Sequence, residues 1–314
     1  MTPTPRNVIL HKHGTMTYDI TLLTDKRWVK PENPDWYANQ ILTEDRLVQE
    51  ALEAQGLKVN RVAWDNENVK WEETKFALFR TTWDYFDVFP KFLKWLDSTS
   101  SETKFINPIE LIRWNMDKHY LNDLQEKGIP IPKTLFFEVG QTDKLNDAFL
   151  QSGWEKAVLK PAVSGSGRHT YKIDATNTSQ HEAIFKELLE NEAMLLQEFQ
   201  EQIITKGEVA LMVIDGKFTH AILKKAKAGD YRVQDDFGGT VHEYEPSTEL
   251  IQMAEDIVAV CNPMPLYARV DIMWDNYDQP IIGELEIIEP ELWFRDHPPA
   301  ADLLARAIKQ RYFN

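Results

Sequence analysis

The 314-residue chain has a single cysteine, Cys261, no long apolar run, and fewer positive than negative side chains. One cysteine excludes an internal disulfide and any multi-cysteine zinc site, which fits a reducing compartment. Near the amino terminus the apolar run is Val8, Ile9 and Leu10, against roughly 7–15 residues for a signal peptide and ~20 for a spanning helix. No later stretch approaches either length, so we read a soluble cytoplasmic protein, with residues 1–16 a loose extension and His11 and His13 solvated. Lys plus Arg is 35 and Asp plus Glu is 50, a net charge of −15. That balance gives no electrostatic reason to seek nucleic acid or an anionic membrane, so a polyanion needs a local basic pocket. Also missing are a Gly-Lys-Ser/Thr phosphate loop, a Gly-x-Ser-x-Gly nucleophile elbow and any internal repeat.

What is present is ordinary globular composition, 43% hydrophobic and 27% charged, at a length that suggests two structural units or one large α/β domain. Over the first ~105 residues, strand-like runs (18–24, 59–63, 76–80) alternate with helical spacing (39–54, 89–96). This is the pattern of a small parallel α/β domain. Residues 109–125 have helical periodicity, ended by Gly128, Pro130 and Pro132. A lobe of mixed α+β character follows, with strands at 157–160, 169–173 and 194–199 and a helix at 180–189. From Gly207 the pattern is mostly β: 208–214, 219–225, 268–274 and 281–288, with helices at 248–261 and 301–311. The expected organisation is an α/β unit over 17–107, a central α+β lobe over 108–200 and a second α+β lobe over 201–314.

Three constellations could carry chemistry. In VLKPAVSGSGRHTYKI, Lys160 ends a strand and the small loop Ser164, Gly165, Ser166, Gly167 follows. Backbone N–H groups freed of side chains can approach phosphate oxygens beside a lysine, although many plain hairpins also carry glycines. In ARVDIMWDNYDQPIIGELEIIEP, Asp271 lies in one strand and Glu284 and Glu286 in the next, across a turn at 276–279. Three carboxylates then share one sheet face, and buried like charges need a cation, for which Mg2+ with oxygen ligands is suited. The competing reading is a solvated sheet face. In LKKAKAGDYRVQDDFGG, Lys224, Lys225, Lys227 and Arg232 gather in an acidic chain, either a polyphosphate contact or a plain surface charge run. The remaining histidines show no ligand spacing, and Cys261 reads as packing.

These parts, in this order from about Asn107 to Pro290, resemble the ATP-grasp superfamily. FRTTWDYF together with IRWNMDKHYL resembles its glutathione-synthetase-like and ribosomal-modification-ligase-like branch, which includes the D-cycloserine-forming ligase. The resemblance implies that Lys118 and Lys160 contact nucleotide phosphates and Ser164 to Gly167 form a flap over them. It implies that Glu198 and Phe199 are the adenine hinge, with Glu208, or its rival Glu201, on the ribose. Lys224 and Arg232 would steady the transferred phosphoryl group or acyl phosphate, and Arg269, one strand pitch from Asp271, is a separate candidate for binding the carboxylate or its phosphate. Asp271, Glu284 and Glu286 would hold a pair of Mg2+ ions, with Mn2+ able to substitute; the family often has Asn where Glu286 stands.

The implied activity joins a small carboxylate to an amine through an acyl phosphate, with ATP as cosubstrate and the central lobe closing to exclude water. Substrate is expected at the carboxyl end of the third strand, at Arg80, Thr81, Trp83, Asp84 and Tyr85, with Glu289 and Trp293, just past the metal carboxylates, expected to touch an amine-bearing substrate. Arg80 could equally form an ion pair with Asp84 or Asp117. The group commonly forms homo-oligomers. An intramolecular cyclase or small-molecule kinase of the same fold, and a nucleotide sensor without turnover, are the alternatives.

Overall fold

The computed structural model describes residues 17–227, 229–233 and 238–314; the extension with His11 and His13 lies outside them. The chain builds three sheets. In the first, β1 (Tyr18–Thr24), β2 (Val59–Ala63), β3 (Thr74–Thr81) and β4 (Lys104–Ile106) pair in the order β2-β1-β3-β4, every pairing parallel. Parallel strands need crossovers. Helix α1 (Trp36–Ala54) links β1 to β2, and α2 (Phe89–Thr99) links β3 to β4. Asp35 caps α1 by accepting the Ala38 N–H, and Gly56 follows its end at φ +77°. Ile20, Leu22 and Leu78 on one face and Leu23 and Phe79 on the other are fully buried, as a parallel sheet covered on both faces requires.

The segment with continuous helical periodicity is two helices, α3 (Ile109–Asn115) and α4 (Tyr120–Glu126), rather than one. Between them the Lys118 N–H donates to the Ala162 carbonyl, 2.9 Å away. A tertiary hydrogen bond has replaced a helical one, and periodicity alone cannot see that. Leu111, Tyr120, Leu121 and Leu124 pack on the third sheet.

The second sheet has the order β5-β8-β6-β7, from β5 (Thr134–Phe137), β6 (Lys156–Pro161), β7 (Tyr171–Asp174) and β8 (Met194–Glu198), all antiparallel. Helices α5 (Leu145–Ser152) and α6 (Thr178–Leu189) pack on it through Phe149, Phe185 and Leu189. β7 starts two residues later than the periodicity suggests. Ser166, Gly167 and His169 hold φ of 48°, 68° and 48° and keep the loop turning until Thr170.

A one-turn helix, α7 (Gln202–Thr205), leads into the third sheet. Its order is β11-β10-β9-β12-β13, from β9 (Glu208–Ile214), β10 (Lys217–Lys225), β11 (Thr240–Glu243), β12 (Tyr267–Trp274) and β13 (Pro280–Glu286). α8 (Thr248–Ala259) covers one face and α9 (Pro299–Tyr312) the other, where α9 also meets α1 and the first sheet. Buried Asn107 ties the first sheet to the third: its amide donates to the Tyr267 and Ile287 carbonyls, each at 2.9 Å, and accepts the Leu266 N–H at 2.5 Å.

Candidate active site

The second and third sheets face each other across a cleft of about 290 Å3. Its floor is the β12–β13 ladder, where Asp271 stands opposite Glu284, and Arg269 opposite Glu286. Alternation sends Val270, Ile272 and Leu285 into the core below, so Arg269, Asp271, Met273, Glu284 and Glu286 project into the cleft together. Gly283 belongs to the same floor; a Cβ there would lie 2.3 Å from the Met273 Cε.

Each carboxylate meets a cation. Lys118, set by the break between α3 and α4, places Nζ 2.9 Å from Glu284 Oε1 and donates to the Ser164 carbonyl at 2.7 Å. Lys224 Nζ lies 2.5 Å from Glu208 Oε1 and 3.1 Å from Asp271 Oδ2. Arg269 clamps Asp271, with Nε 2.9 Å from Oδ1 and Nη2 2.8 Å from Oδ2, and also bonds Glu286. Burial alone would push these acids up. Arg269 and Lys224 outweigh it at Asp271, and Lys118 and Lys160 outweigh it at Glu284, so both sit below the ordinary carboxylate range. Glu286 is pushed up to about 7, first by burial and then by Glu284 and Asp271, with Arg269 pulling the other way. Across the cleft, burial, opposed by Glu284 and reinforced by Lys118, brings Lys160 down to about 8.

The flap crosses the opening. Ser164 Oγ donates to the Arg168 carbonyl at 3.0 Å, and the Arg168 guanidinium grips both Glu192 oxygens, at 2.7 and 2.8 Å. Gly165 touches Phe86 so closely that a Cβ would lie 2.4 Å from the ring. Beyond Met273 the cleft turns apolar, lined by Val158, Phe199, Ile203, Tyr231 and Val233.

Asp271, Glu284 and Glu286 form an all-oxygen donor set suited to Mg2+. Among the described residues no three His, Cys, Asp or Glu side chains are arranged as a ready-made metal cluster, and Lys118, Lys224 and Arg269 are paired with these acids instead. Glu284 and Glu286 stay 34% and 27% exposed, whereas Asp271 is closed at 2%. The chemistry fits; the cations must release the acids for a metal to bridge them.

The cleft gathers Lys118, Lys160, Ser164, Gly165, Ser166, Gly167, Glu198, Phe199, Glu208, Lys224, Arg232, Arg269, Asp271, Glu284, Glu286, Trp83 and Glu289. Four expected residues stand outside its lining. Glu201 is at the surface, 2.6 Å from Lys156, whereas Glu208 lines the cleft. Arg80 is buried at 1% with its guanidinium 5.5 Å from the Phe294 ring centre. Neither proposed partner holds it: Asp84 accepts the Trp64 indole N–H at 2.7 Å, and Asp117 pairs with His119. Thr81 donates to Asp45 and shares a hydrogen bond with Thr24 inside the first sheet. A strand's carboxyl end marks a region, not which of its side chains turn towards a ligand. Tyr85, expected beside Trp83, lines the cleft as well; sequence reasoning did not place Tyr37 and Tyr231 there.

A Ser/Gly flap facing a carboxylate floor, between an antiparallel four-stranded sheet and a five-stranded one, is the arrangement of the ATP-grasp fold, which this chain has. Residues 129–275 match the ATP-grasp domain of prokaryotic glutathione synthetase, and residues 20–107 match the N-terminal domain of D-cycloserine synthetase. The chain is similar to the cycloserine biosynthesis protein DcsG of Streptomyces lavendulae, 27% identical over 283 residues, covering 83% of this chain and 91% of that protein. The crystal structure of D-cycloserine synthetase DcsG superposes with a TM-score of 0.83 at 24% identity, covering 93% of this chain and 99% of that one. The ATP-grasp ligase PsnB complexed with minimal precursor, Mg and ADP superposes with a TM-score of 0.59 at 15% identity, covering 92% and 98%.

Proposed function

We propose that the protein is an ATP- and Mg2+-dependent carboxylate–amine ligase that forms an amide bond on a small amino-acid-like substrate. The observation that carries this reading is the opposition of Lys118 and Lys160 to Asp271, Glu284 and Glu286 beneath the 164–167 flap. A triphosphate laid between them takes the lysines as counter-charges. That frees the carboxylates for a pair of Mg2+ ions, which supply charge neutralisation of the phosphates when bound.

The residue roles follow from position. Val158, Phe199, Ile203 and Met273 sandwich the base, the 198–199 backbone reads its edge, and Glu208 holds the ribose. The flap lays backbone N–H groups over the phosphates. A substrate carboxylate oxygen attacks the γ-phosphorus in line and ADP departs; Lys224, Arg232 and Arg269 offset the charge on the transferred phosphoryl group. An amine then attacks the acyl carbon and phosphate leaves. No side-chain nucleophile is required, and buried Cys261, its thiol pushed up to about 11 by burial, is unsuited to be one. We assign the substrate lobe to 17–107 and the two clamping lobes to 108–200 and 201–314.

Likeness over nearly the whole of a cycloserine biosynthesis protein favours one second reading, an intramolecular cyclase. ADP release with ATP, MgCl2 and pooled amino acids tests the ligase. ADP release from single compounds with no added amine marks the cyclase, and no nucleotide-dependent turnover with any candidate overturns both.

A further inference from the structure

The β12–β13 ladder orders the cleft from end to end. Met273 lies at the apolar end, Asp271 and Glu284 stand in the middle, Arg269 and Glu286 come next, and the chain leaving β13 brings Glu289 to the far end. This end is walled by aromatic rings: Tyr37, Trp83, Tyr85 and Trp293. Trp293 is only 3% exposed, and Arg269 and Lys224 lie 5.3 and 5.8 Å from its ring centre, between it and Asp271.

Glu289 is held rigidly there. The Trp83 indole N–H donates to its main-chain carbonyl at 2.9 Å, and the Tyr85 hydroxyl hydrogen-bonds its carboxylate. Yet its Oε2 is buried with no hydrogen-bond partner, and so is the Trp293 Nε1. A buried unsatisfied polar atom is destabilising unless something binds to it. One orphan acceptor and one orphan donor line an aromatic pocket beside the position of the acyl phosphate. An ammonium group fits the acceptor, since aromatic faces also attract cations. A carboxyl or carbonyl oxygen fits the donor.

We propose that Glu289 is the catalytic residue that binds the attacking amine as its ammonium and takes its proton, with Trp293 donating to an oxygen of the same amino-acid-like molecule. This rests on the ligase reading. The step balances: R–NH3+ gives one proton to the Glu289 carboxylate. The freed nitrogen lone pair forms the C–N bond at the acyl carbon, the C–O bond to phosphate breaks, and the second nitrogen proton leaves with the phosphate. Burial, then repulsion from Glu286, raises Glu289 to about 8, against Tyr85 and Lys118. An ammonium arriving beside it favours its ionised form, and a carboxylate in so apolar a site is a stronger base than an ordinary one.

The test is Glu289→Gln, which keeps the side-chain shape, with Glu289→Asp as the conservative control. ADP release is followed with ATP, MgCl2 and a pool of L- and D-amino acids, and again with hydroxylamine added. Hydroxylamine is uncharged at neutral pH and attacks an acyl phosphate without losing a proton first. Expected is a fall of roughly 100-fold or more in amine-dependent turnover, hydroxamate formation lowered less than about 3-fold, and partial recovery with aspartate. Equal loss of both, or loss of neither, overturns the proposal. A parent protein that yields no hydroxamate points to failure of the ligase reading instead.

Discussion

At the scale of single residues, the cleft is a set of paired charges in which each partner decides the state of another. Glu284 is the clearest case. Lys118 binds it and Lys160 faces it, and together they keep it ionised in a partly buried position. Glu284→Gln keeps the volume and removes the charge. Turnover is expected to fall at least ~100-fold, more than outer-shell partners of metals are worth, with the unfolding midpoint little changed. Turnover near that of the parent would remove the metal from this ladder.

Lys160 gives a second prediction, through pH. Its pKa lies near 8, so the ammonium is present below that value and lost as pH rises through it. Affinity for the nucleotide should weaken above about pH 8, seen as a rising KM for ATP. In Lys160→Arg the guanidinium stays charged, and that rise should disappear; an unchanged pH profile would show that Lys160 does not touch the phosphates. The sign for stability is opposite. Between about 8 and the ordinary lysine value of 10.5 the unfolded chain binds the proton and the folded one does not, so this group makes the fold more stable as pH rises across that window.

At the scale of elements, single polar side chains fix how the sheets sit. Asn107 serves three buried backbone groups of the third sheet from the end of the first. Asn107→Ala orphans all three, and at about 1 kcal/mol for each lost bond the change should destabilise by ~3 kcal/mol. Urea unfolding measures it, and a loss under about 1 kcal/mol would mean those groups find other partners. Nothing in the sequence singled out Asn107 for this, because its partners lie about 160 and 180 residues away. The strands themselves were legible. Tyr18–Thr24 and Glu208–Ile214 coincide with their apolar runs, since burial on both faces leaves a continuous signature, while the edge strand Val59–Ala63 is only half-buried and still keeps its expected bounds. The carboxylate floor was legible too, because two-residue alternation fixes which side chains share a face. Three things were not: the break that aims Lys118, the left-handed turns that extend the flap, and the burial of Arg80. Each depends on a contact distant in sequence, and local periodicity carries no record of it.

At the scale of the molecule, the site lies where two sheets meet, so ligand and fold are coupled. The floor carboxylates are engaged by Lys118, Lys224 and Arg269. Mg2+ alone must displace those cations, and ATP alone must approach Asp271, Glu284 and Glu286 with its charge uncompensated. In the proposed reading the two bind together, phosphates to the lysines and Mg2+ to the acids, so that neither rearrangement would leave a charge unpaired. The stabilisation should therefore be strongly non-additive. At a hundredfold excess over Kd, a ligand that binds only the folded state adds about 2.7 kcal/mol, or roughly 5 °C in unfolding midpoint for a chain this long. We expect that shift with ATP and MgCl2 together, and less than about 1 °C with MgCl2 alone. In Glu284→Gln the joint shift should shrink towards the value for ATP alone. Equal shifts with MgCl2 alone and with the pair would mean that the metal site stands ready without the nucleotide, and that the lysines do not guard it.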